Sequence, residues 1–194
     1  MFLDEFGLSF RERLGPTWAP RGRRPVIKRT DADRRALATL ATLATLATLA
    51  TLATLATLAT LAVLTISGKI YKRHVEGSIS SPDVITMLKW LLTFLPEGFV
   101  LVWDGASIHR SKLTRCFLAQ HPEITVESLP PYAPELNPEE YSHGNVKHHL
   151  RNATPADRSH MRQQLNREFH RLRRRPDLLL ACFHAAGLTV KQLW

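Results

Sequence analysis

Three acidic residues, far apart in the sequence, are of the type that could hold divalent metal ions together. They are Asp4, Asp104 and Glu140. Carboxylates are the hard oxygen ligands that Mg²⁺ prefers in proteins. Two ions held by such a cluster can activate an attacking oxygen and stabilise a leaving oxygen during phosphodiester cleavage. We therefore take these three acids as candidate metal ligands and catalytic residues.

The segments around these acids predict that an α/β fold brings them together. Asp104 closes the apolar run 99–103, which is typical of a strand buried on both faces, and open α/β sheets place their sites at such strand ends. Asn137 suits the N-cap of a helix, which puts Glu140 in its first turn. Each acid also has a purely structural interpretation. Glu140 could be only a first-turn helix acid, and Asp4 only a charge exposed on an edge strand.

The remaining sequence predicts alternating strands and helices. Two β-rich runs flank a turn at Ser67-Gly68 and predict a hairpin. A serine hydroxyl at Ser81, with proline next, predicts the start of a helix. Further elements are expected as a first strand at 2–10, a helix at 111–120, a strand at 124–129, and helices at 156–175 and 176–186. The pattern favours one α/β domain spanning residues 1–194, with a sheet covered by helices.

Eight tandem copies of Ala-Thr-Leu run from Ala38 to Leu61. A period of three matches neither a helix nor a strand, so its leucines would alternate faces of a strand and give no single buried face. We interpret the repeat as a low-complexity insertion in the early β-hairpin, contained in residues 36–66. Seven copies are expected to be surplus and to form a helical or disordered protrusion. The uncharged length with basic flanks leaves a transmembrane helix as an alternative.

The composition favours a nucleic-acid partner. The chain has 194 residues and a formal net charge of +9, and lysine and arginine bind polyanions by neutralising phosphates. Eight arginines lie between Arg151 and Arg175, so residues 151–194 are expected to form basic C-terminal helices. The acidic start M-F-L-D-E-F does not resemble a signal peptide. Two widely separated cysteines suggest neither a disulfide framework nor a cysteine zinc site.

Three longer motifs resemble the DDE endonuclease domain of bacterial insertion-sequence transposases in the mariner superfamily. They are F-L-D-E-F-G-L with T-W-A-P-R-G-R-R-P, then V-L-V-W-D-G-A-S-I-H-R-S, and finally L-P-P-Y-A-P-E-L-N-P-E-E-Y. The resemblance covers nearly the whole chain. It implies an RNase H-like fold, similar to retroviral integrases, with a mixed sheet flanked by helices. It also implies that Asp4, Asp104 and Glu140 are the catalytic triad, with Glu5 and Glu139 as second choices.

The resemblance further implies a reaction and its partners. Two Mg²⁺ or Mn²⁺ ions would support hydrolysis of a phosphodiester at a transposon end, and the released 3′-hydroxyl would then attack target DNA. A homodimer acting on nucleoid DNA in the cytoplasm, with no membrane association, is expected. His109, Arg110, Lys147 and Arg151 are candidate DNA contacts, although each could instead be an ordinary surface residue.

The sequence also departs from the family pattern. Members usually carry tryptophan three residues after the last catalytic glutamate, where this chain has His143. A metal site formed by Glu140, His143 and His148 is a lesser alternative. The family's N-terminal helix-turn-helix region, which recognises transposon ends, is expected to be encoded separately unless the gene is a truncated remnant. Alternative functions are therefore a catalytically inactive remnant that binds DNA nonspecifically, or a membrane-anchored protein.

Overall fold

Strands and helices alternate along the chain much as the sequence predicts. The computed structural model describes residues 1–9, 15–23, 25 and 57–190. The elements within these ranges are β1 (Phe2–Ser9), β2 (Thr57–Leu64), β3 (Ile70–Glu76), α1 (Ser81–Phe94), β4 (Phe99–Trp103), α2 (Lys112–Ala119), β5 (Ile124–Ser128), a 3-10 turn (Pro134–Leu136), α3 (Pro138–His149), α4 (Arg158–Arg173) and α5 (Pro176–Ala185). The expected β2–β3 hairpin, with its turn at Ser67-Gly68, is confirmed.

The five strands form one mixed sheet in the order β3-β2-β1-β4-β5. The pairs β1–β2 and β2–β3 are antiparallel, whereas β1–β4 and β4–β5 are parallel. The expectation of a mixed sheet flanked by helices is therefore confirmed. Because β1 occupies the centre of the sheet, Asp4 does not lie on an edge strand, and the structural interpretation that placed it there is wrong.

Both faces of the sheet are covered by helices. Phe2 and Phe6 of β1 pack in one apolar cluster with residues of α3, α4 and α5. Leu3 lies in a second cluster with residues of α1 and α2, on the opposite face. Since side chains alternate along a strand, Asp4 shares the face of Phe2 and Phe6 and points toward α3. The adjacent Glu5 points toward the other face.

The end of the Ala-Thr-Leu repeat forms the first part of β2. Leu58 belongs to the cluster beneath α3, α4 and α5, and Leu61 belongs to the cluster beneath α1 and α2. Both faces of β2 are buried, so leucines that alternate between the faces of this strand pack in one apolar cluster or the other. Residues 36–56 lie outside the described residues, and the predicted surplus copies and protrusion stay predictions. In the described ranges, no helix combines the length and apolar character needed to cross a bilayer.

Local capping interactions define where the helices begin. The backbone N–H of Ser80 donates to the Asp83 carboxylate (3.0 Å), so the cap of α1 is Ser80, one residue earlier than the sequence suggested. Asn137 caps α3 as expected, since its side-chain oxygen accepts from the backbone N–H of Glu139 (3.1 Å). Asp157 caps α4, so that helix begins slightly later than predicted. The cap at Asn137 matters most, because it places Glu140 in the first turn of α3.

Candidate active site

The three predicted acids line one open cavity of about 530 Å³. Asp4 comes from the central strand β1, Asp104 from the residue after β4, and Glu140 from the first turn of α3. Strands β1 and β4 are parallel neighbours, with Phe2 opposite Val102, so both acids lie toward the same end of the sheet. The loop between β5 and α3 closes the other side of the cavity. The fold therefore brings together residues that are far apart in the sequence.

Asp4 is the buried member of this group. Only 8% of it is exposed, and its carboxylate accepts hydrogen bonds from the backbone N–H of Glu5 (2.8 Å) and from Asn137 Nδ2 (3.1 Å). Burial, and secondly the nearby Glu140 carboxylate, raise the pKa of Asp4 to about 8. A bound cation would favour the ionised form and lower this pKa again. The environment of Asp4 thus fits a metal ligand.

Asp104 is exposed at the mouth of the cavity and is held by its own loop. Its Oδ1 accepts from the backbone N–H of Ala106 (3.0 Å) and lies 3.0 Å from Nδ1 of His109. The His109 ring stacks on Trp103, with 4.3 Å between ring centroids and an interplanar angle of 4°. Only 3% of His109 is exposed, and burial lowers its pKa. This placement assigns the ring to orienting Asp104, and its burial argues against the DNA contact considered from sequence.

Glu5 lies on the other side of the same histidine. Its Oε2 is 3.6 Å from His109 Nε2. Burial, and then the charge of Asp104, raise the pKa of Glu5 to about 7. Glu5 is not among the residues that line the cavity. Its position therefore favours Asp4 over Glu5 as the functional acid of β1.

The two consecutive glutamates of α3 occupy different environments. Glu140 is exposed and lines the cavity, whereas Glu139 is fully buried and does not line it. The Ser142 hydroxyl donates to Glu139 Oε2, and burial raises the pKa of Glu139 to about 8. Glu140 is thus the glutamate of this pair that can reach a substrate or ion in the cavity.

His143 adds a nitrogen donor to the acids, which the carboxylate pattern did not indicate. Donor atoms of Asp4, Glu140 and His143 all lie within 4.8 Å of one another, the most compact set of potential metal ligands among the described residues. Asp104 lines the same cavity but is not part of that set. Nor is His148, which is exposed and which the sequence alternative had included. The sequence alternative had named His143 with Glu140, and the structure places Asp4 beside these two residues where that alternative had His148.

Three of the predicted DNA contacts are exposed, and one of them lines the cavity. Arg110 is exposed and lines the cavity itself. Lys147 is exposed on α3, with its Nζ 5.4 Å from the centroid of the Phe6 ring. Arg151 follows α3 and packs against Gly15, where an added Cβ would lie only 1.8 Å from the arginine Cδ. Arg110 thus lines the cavity, whereas Lys147 and Arg151 are exposed outside its lining.

The basic helix α4 is less available to DNA than its composition suggests. Arg158 and Arg162 both pair with Glu76, at 3.3 and 3.5 Å. Arg171 pairs with Glu168 (2.7 Å) and Arg175 with Asp177 (2.7 Å). Four of the eight arginines are therefore partly neutralised by neighbouring acids.

The chain matches one known protein family over the segments that contain the three acids. The sequence profile described as DDE superfamily endonuclease matches residues 1–162, a range that contains all three acids. The chain therefore belongs to the DDE superfamily endonucleases. Among curated proteins, no sequence match was found.

Solved structures show the same fold. The Mos1 transposase paired-end complex with left transposon end is 15% identical, with a TM-score of 0.56 over 98% of this chain and 56% of the Mos1 chain. A pre-cleavage Mos1 transpososome is 14% identical, with a TM-score of 0.58 over 97% and 56%. The catalytic domain of Mos1 mariner transposase is 16% identical, with a TM-score of 0.50 over 69% and 76%. The present chain spans little more than half of the Mos1 chains in the complexes, and the fold is the RNase H-like one.

Proposed function

We propose that this chain is the catalytic domain of a DNA transposase that cleaves DNA and joins its strands. The observation that carries the proposal is the shared cavity: Asp4, Asp104 and Glu140 reach it from three different elements of a DDE endonuclease fold. Hydrolysis of a phosphodiester at a transposon end would release a 3′-hydroxyl. That hydroxyl would attack a phosphodiester of target DNA, expel its 3′ oxygen and form the new strand junction.

In this proposal the three acids hold two Mg²⁺ or Mn²⁺ ions. Such ions supply Lewis-acid stabilisation of the phosphate and activation of the attacking oxygen. Asn137 keeps one oxygen of Asp4 fixed through its side-chain amide. His109, stacked on Trp103, keeps the exposed Asp104 side chain in one orientation. Holding flexible carboxylates before the ions arrive reduces the entropy lost on binding.

The cations around the cavity position the DNA. Arg110 lies in the cavity, where a guanidinium can contact a phosphate beside the cleavage point through two hydrogen bonds. Lys147 and Arg151 extend the positive surface along and beyond α3. The same helix thus carries a metal-binding acid in its first turn and phosphate contacts near its end.

The partners and location follow from this activity. We infer a homodimer that holds paired transposon ends, working with a helix-turn-helix region that recognises those ends. The fold shared with the Mos1 transposase in its paired-end complex supports these assignments. Chromosomal DNA in the cytoplasm is the expected place of action.

A nicking assay on supercoiled plasmid tests the proposal. The protein should convert the plasmid to open circles with Mg²⁺ or Mn²⁺ and not with EDTA. Asp104→Asn, which keeps the side-chain shape but weakens metal binding, should abolish this activity. The matched control is Glu97→Gln, because Glu97 precedes β4 at the opposite end of the strand. Equal nicking by the wild type and Asp104→Asn contradicts the site, and DNA binding without any nicking supports an inactive remnant.

A further inference from the structure

We propose that His143 directly ligates the divalent ion held by Asp4 and Glu140, so that one metal position combines carboxylate oxygens with an imidazole nitrogen. This inference rests on the proposed function, because it concerns the same cavity. It adds a fourth residue to the three acids and predicts which ions the protein prefers. Three independent features of His143 support it.

The first feature is burial without a partner. Only 1% of His143 is exposed, and neither ring nitrogen has a hydrogen-bond partner among the described residues. One face of the ring packs on Phe6, with 4.3 Å between the ring centroids. Buried polar atoms in folded proteins are nearly always paired, and leaving them unpaired is costly. Nδ1, which faces Asp4, therefore calls for a partner that the surrounding chain does not supply, and Nε2 has the Glu139 carboxylate 3.5 Å away without a hydrogen bond.

The second feature is the distance to the acids. His143 Nδ1 lies 3.7 Å from Asp4 Oδ2, with no hydrogen bond between them. Two atoms that each lie about 2.1 Å from one ion are about 3 to 4.2 Å apart, depending on the angle at the ion. The observed separation falls within that range. Glu140 is exposed, and its carboxylate already belongs to the same 4.8 Å group, so a side-chain rotation can complete the set.

The third feature is the residue behind the ring. His143 Nε2 lies 3.5 Å from Oε2 of Glu139, one helical turn earlier in α3. Metal-binding histidines usually donate their second N–H to a carboxylate, which fixes the tautomer and the ring orientation. Ser142 donates a hydrogen bond to the same oxygen of Glu139 and holds it in place. This arrangement gives the buried Glu139 a role that its position outside the cavity otherwise lacks.

An imidazole ligand changes the preference among ions. Carboxylate and water oxygens suit both Mg²⁺ and Mn²⁺, but an imidazole nitrogen is a better ligand for a first-row transition ion such as Mn²⁺ than for Mg²⁺. The wild type should therefore bind Mn²⁺ more tightly than Mg²⁺ by a margin that depends on His143. His143→Phe, which keeps a ring against Phe6 but removes both nitrogens, should weaken Mn²⁺ binding about 10-fold or more. Mg²⁺ binding should weaken much less.

Electron spin echo envelope modulation of bound Mn²⁺ tests direct ligation without measuring activity. The wild type should show modulation from a directly bound ¹⁴N, and protein made with ¹⁵N-histidine should show the changed pattern. His143→Phe should lose the nitrogen modulation. The matched control is His109→Phe, because His109 is the histidine beside Asp104 and is also buried. That variant should retain the modulation.

Each other outcome has a defined meaning. Mn²⁺ that binds the wild type without nitrogen modulation overturns the inference but leaves the carboxylate site intact. Modulation lost only in His109→Phe overturns it in favour of the other histidine. Absence of any Mn²⁺ binding to the wild type refutes the proposed function together with the inference. Where His143→Phe fails to fold, the labelled wild type and His109→Phe decide together: nitrogen modulation that His109→Phe retains assigns the ligand to His143, the other histidine beside these acids, and modulation that it loses overturns the inference.

Discussion

The buried position of Asp4 predicts that a substitution at this site changes how the stability of the metal-free protein depends on pH. The pKa of Asp4 is raised from 3.8 to about 8, first by burial and then by Glu140. The pKa of Asp4 is thus higher in the folded state than in the unfolded state. At any pH between the two pKa values, Asp4 is protonated in the folded protein and ionised in the unfolded chain. The protonated Asp4 carboxyl therefore contributes fully to the free energy of unfolding below about pH 4, and this contribution is lost as the pH rises through about 8.

The size of the effect follows from the shift. Each pH unit between the two pKa values changes the free energy of unfolding by about 1.4 kcal/mol at most. From pH 5 to pH 7, the Asp4 carboxyl should therefore lower the stability of the metal-free wild type by about 1–3 kcal/mol. Asp4→Asn removes this titration. The pKa values of Glu5 and Glu139 are also raised, so the stability of the variant still falls with rising pH, but less steeply than that of the wild type.

The substitution also has a cost that does not depend on pH. The Asp4 carboxylate accepts hydrogen bonds from two N–H donors, Glu5 and Asn137. An asparagine can accept only one of them and turns its own NH₂ toward the other, which costs about 1 kcal/mol. The variant should thus be slightly less stable than the wild type at pH 4 and more stable at pH 8.

Urea denaturation in EDTA, followed by circular dichroism at several pH values, measures this crossover. Glu97→Gln serves as the control, because Glu97 is exposed and precedes β4 at the end of the strand away from Asp104, and its stability curve should run parallel to that of the wild type. Parallel curves for Asp4→Asn and the wild type between pH 5 and 8 refute the reasoning that burial holds a proton on Asp4.

Four further predictions concern the metal, the core, the repeat and DNA. Apparent Mn²⁺ affinity, measured by calorimetry, should rise with pH up to about 8, because the ion displaces the Asp4 proton; a flat profile contradicts this. Leu61→Ala should lower the free energy of unfolding by about 2–5 kcal/mol in urea titrations, since Leu61 is fully buried. Deleting residues 38–58 leaves Ala-Leu directly before the last repeat copy, so β2 keeps its sequence pattern and the Tm should not fall; unfolding on deletion assigns the repeat to the core. Arg110→Ala and Lys147→Ala should each reduce, by about one unit, the slope of the logarithm of the DNA-binding constant against the logarithm of the salt concentration. An unchanged slope removes that residue from the interface.

Local sequence patterns were sufficient to predict most elements of this fold. The apolar run 99–103 identified β4 and placed Asp104 at its end, as the structure confirms. The cap at Asn137 identified the start of α3 and the position of Glu140. Both features depend on neighbouring residues only, which is why sequence reasoning could find them. The family motifs added the convergence of the acids, which local patterns alone do not determine.

Features that depend on the burial of both sheet faces were harder to predict. A repeat of period three matches neither a helix nor a strand with one buried face, yet Leu58 and Leu61 pack in opposite clusters, because helices cover both sides of β2. The sequence predicts a DNA contact at His109, with an ordinary surface position as the alternative, but its ring is buried against Trp103 and beside Asp104. His143 gains its importance only from the approach of β1 to α3. No pattern within α3 shows what lies across from that helix.

Anomalous X-ray diffraction from crystals soaked in Mn²⁺ tests most directly the claim that these acids form a metal-dependent cleavage site. The account predicts an anomalous peak about 2.1–2.3 Å from a carboxylate oxygen of Asp4, with Glu140 or Asp104 as a further ligand. It is contradicted by Mn²⁺ peaks that appear only at surface acids such as Glu76 or Asp177, while the cavity around Asp4 binds none.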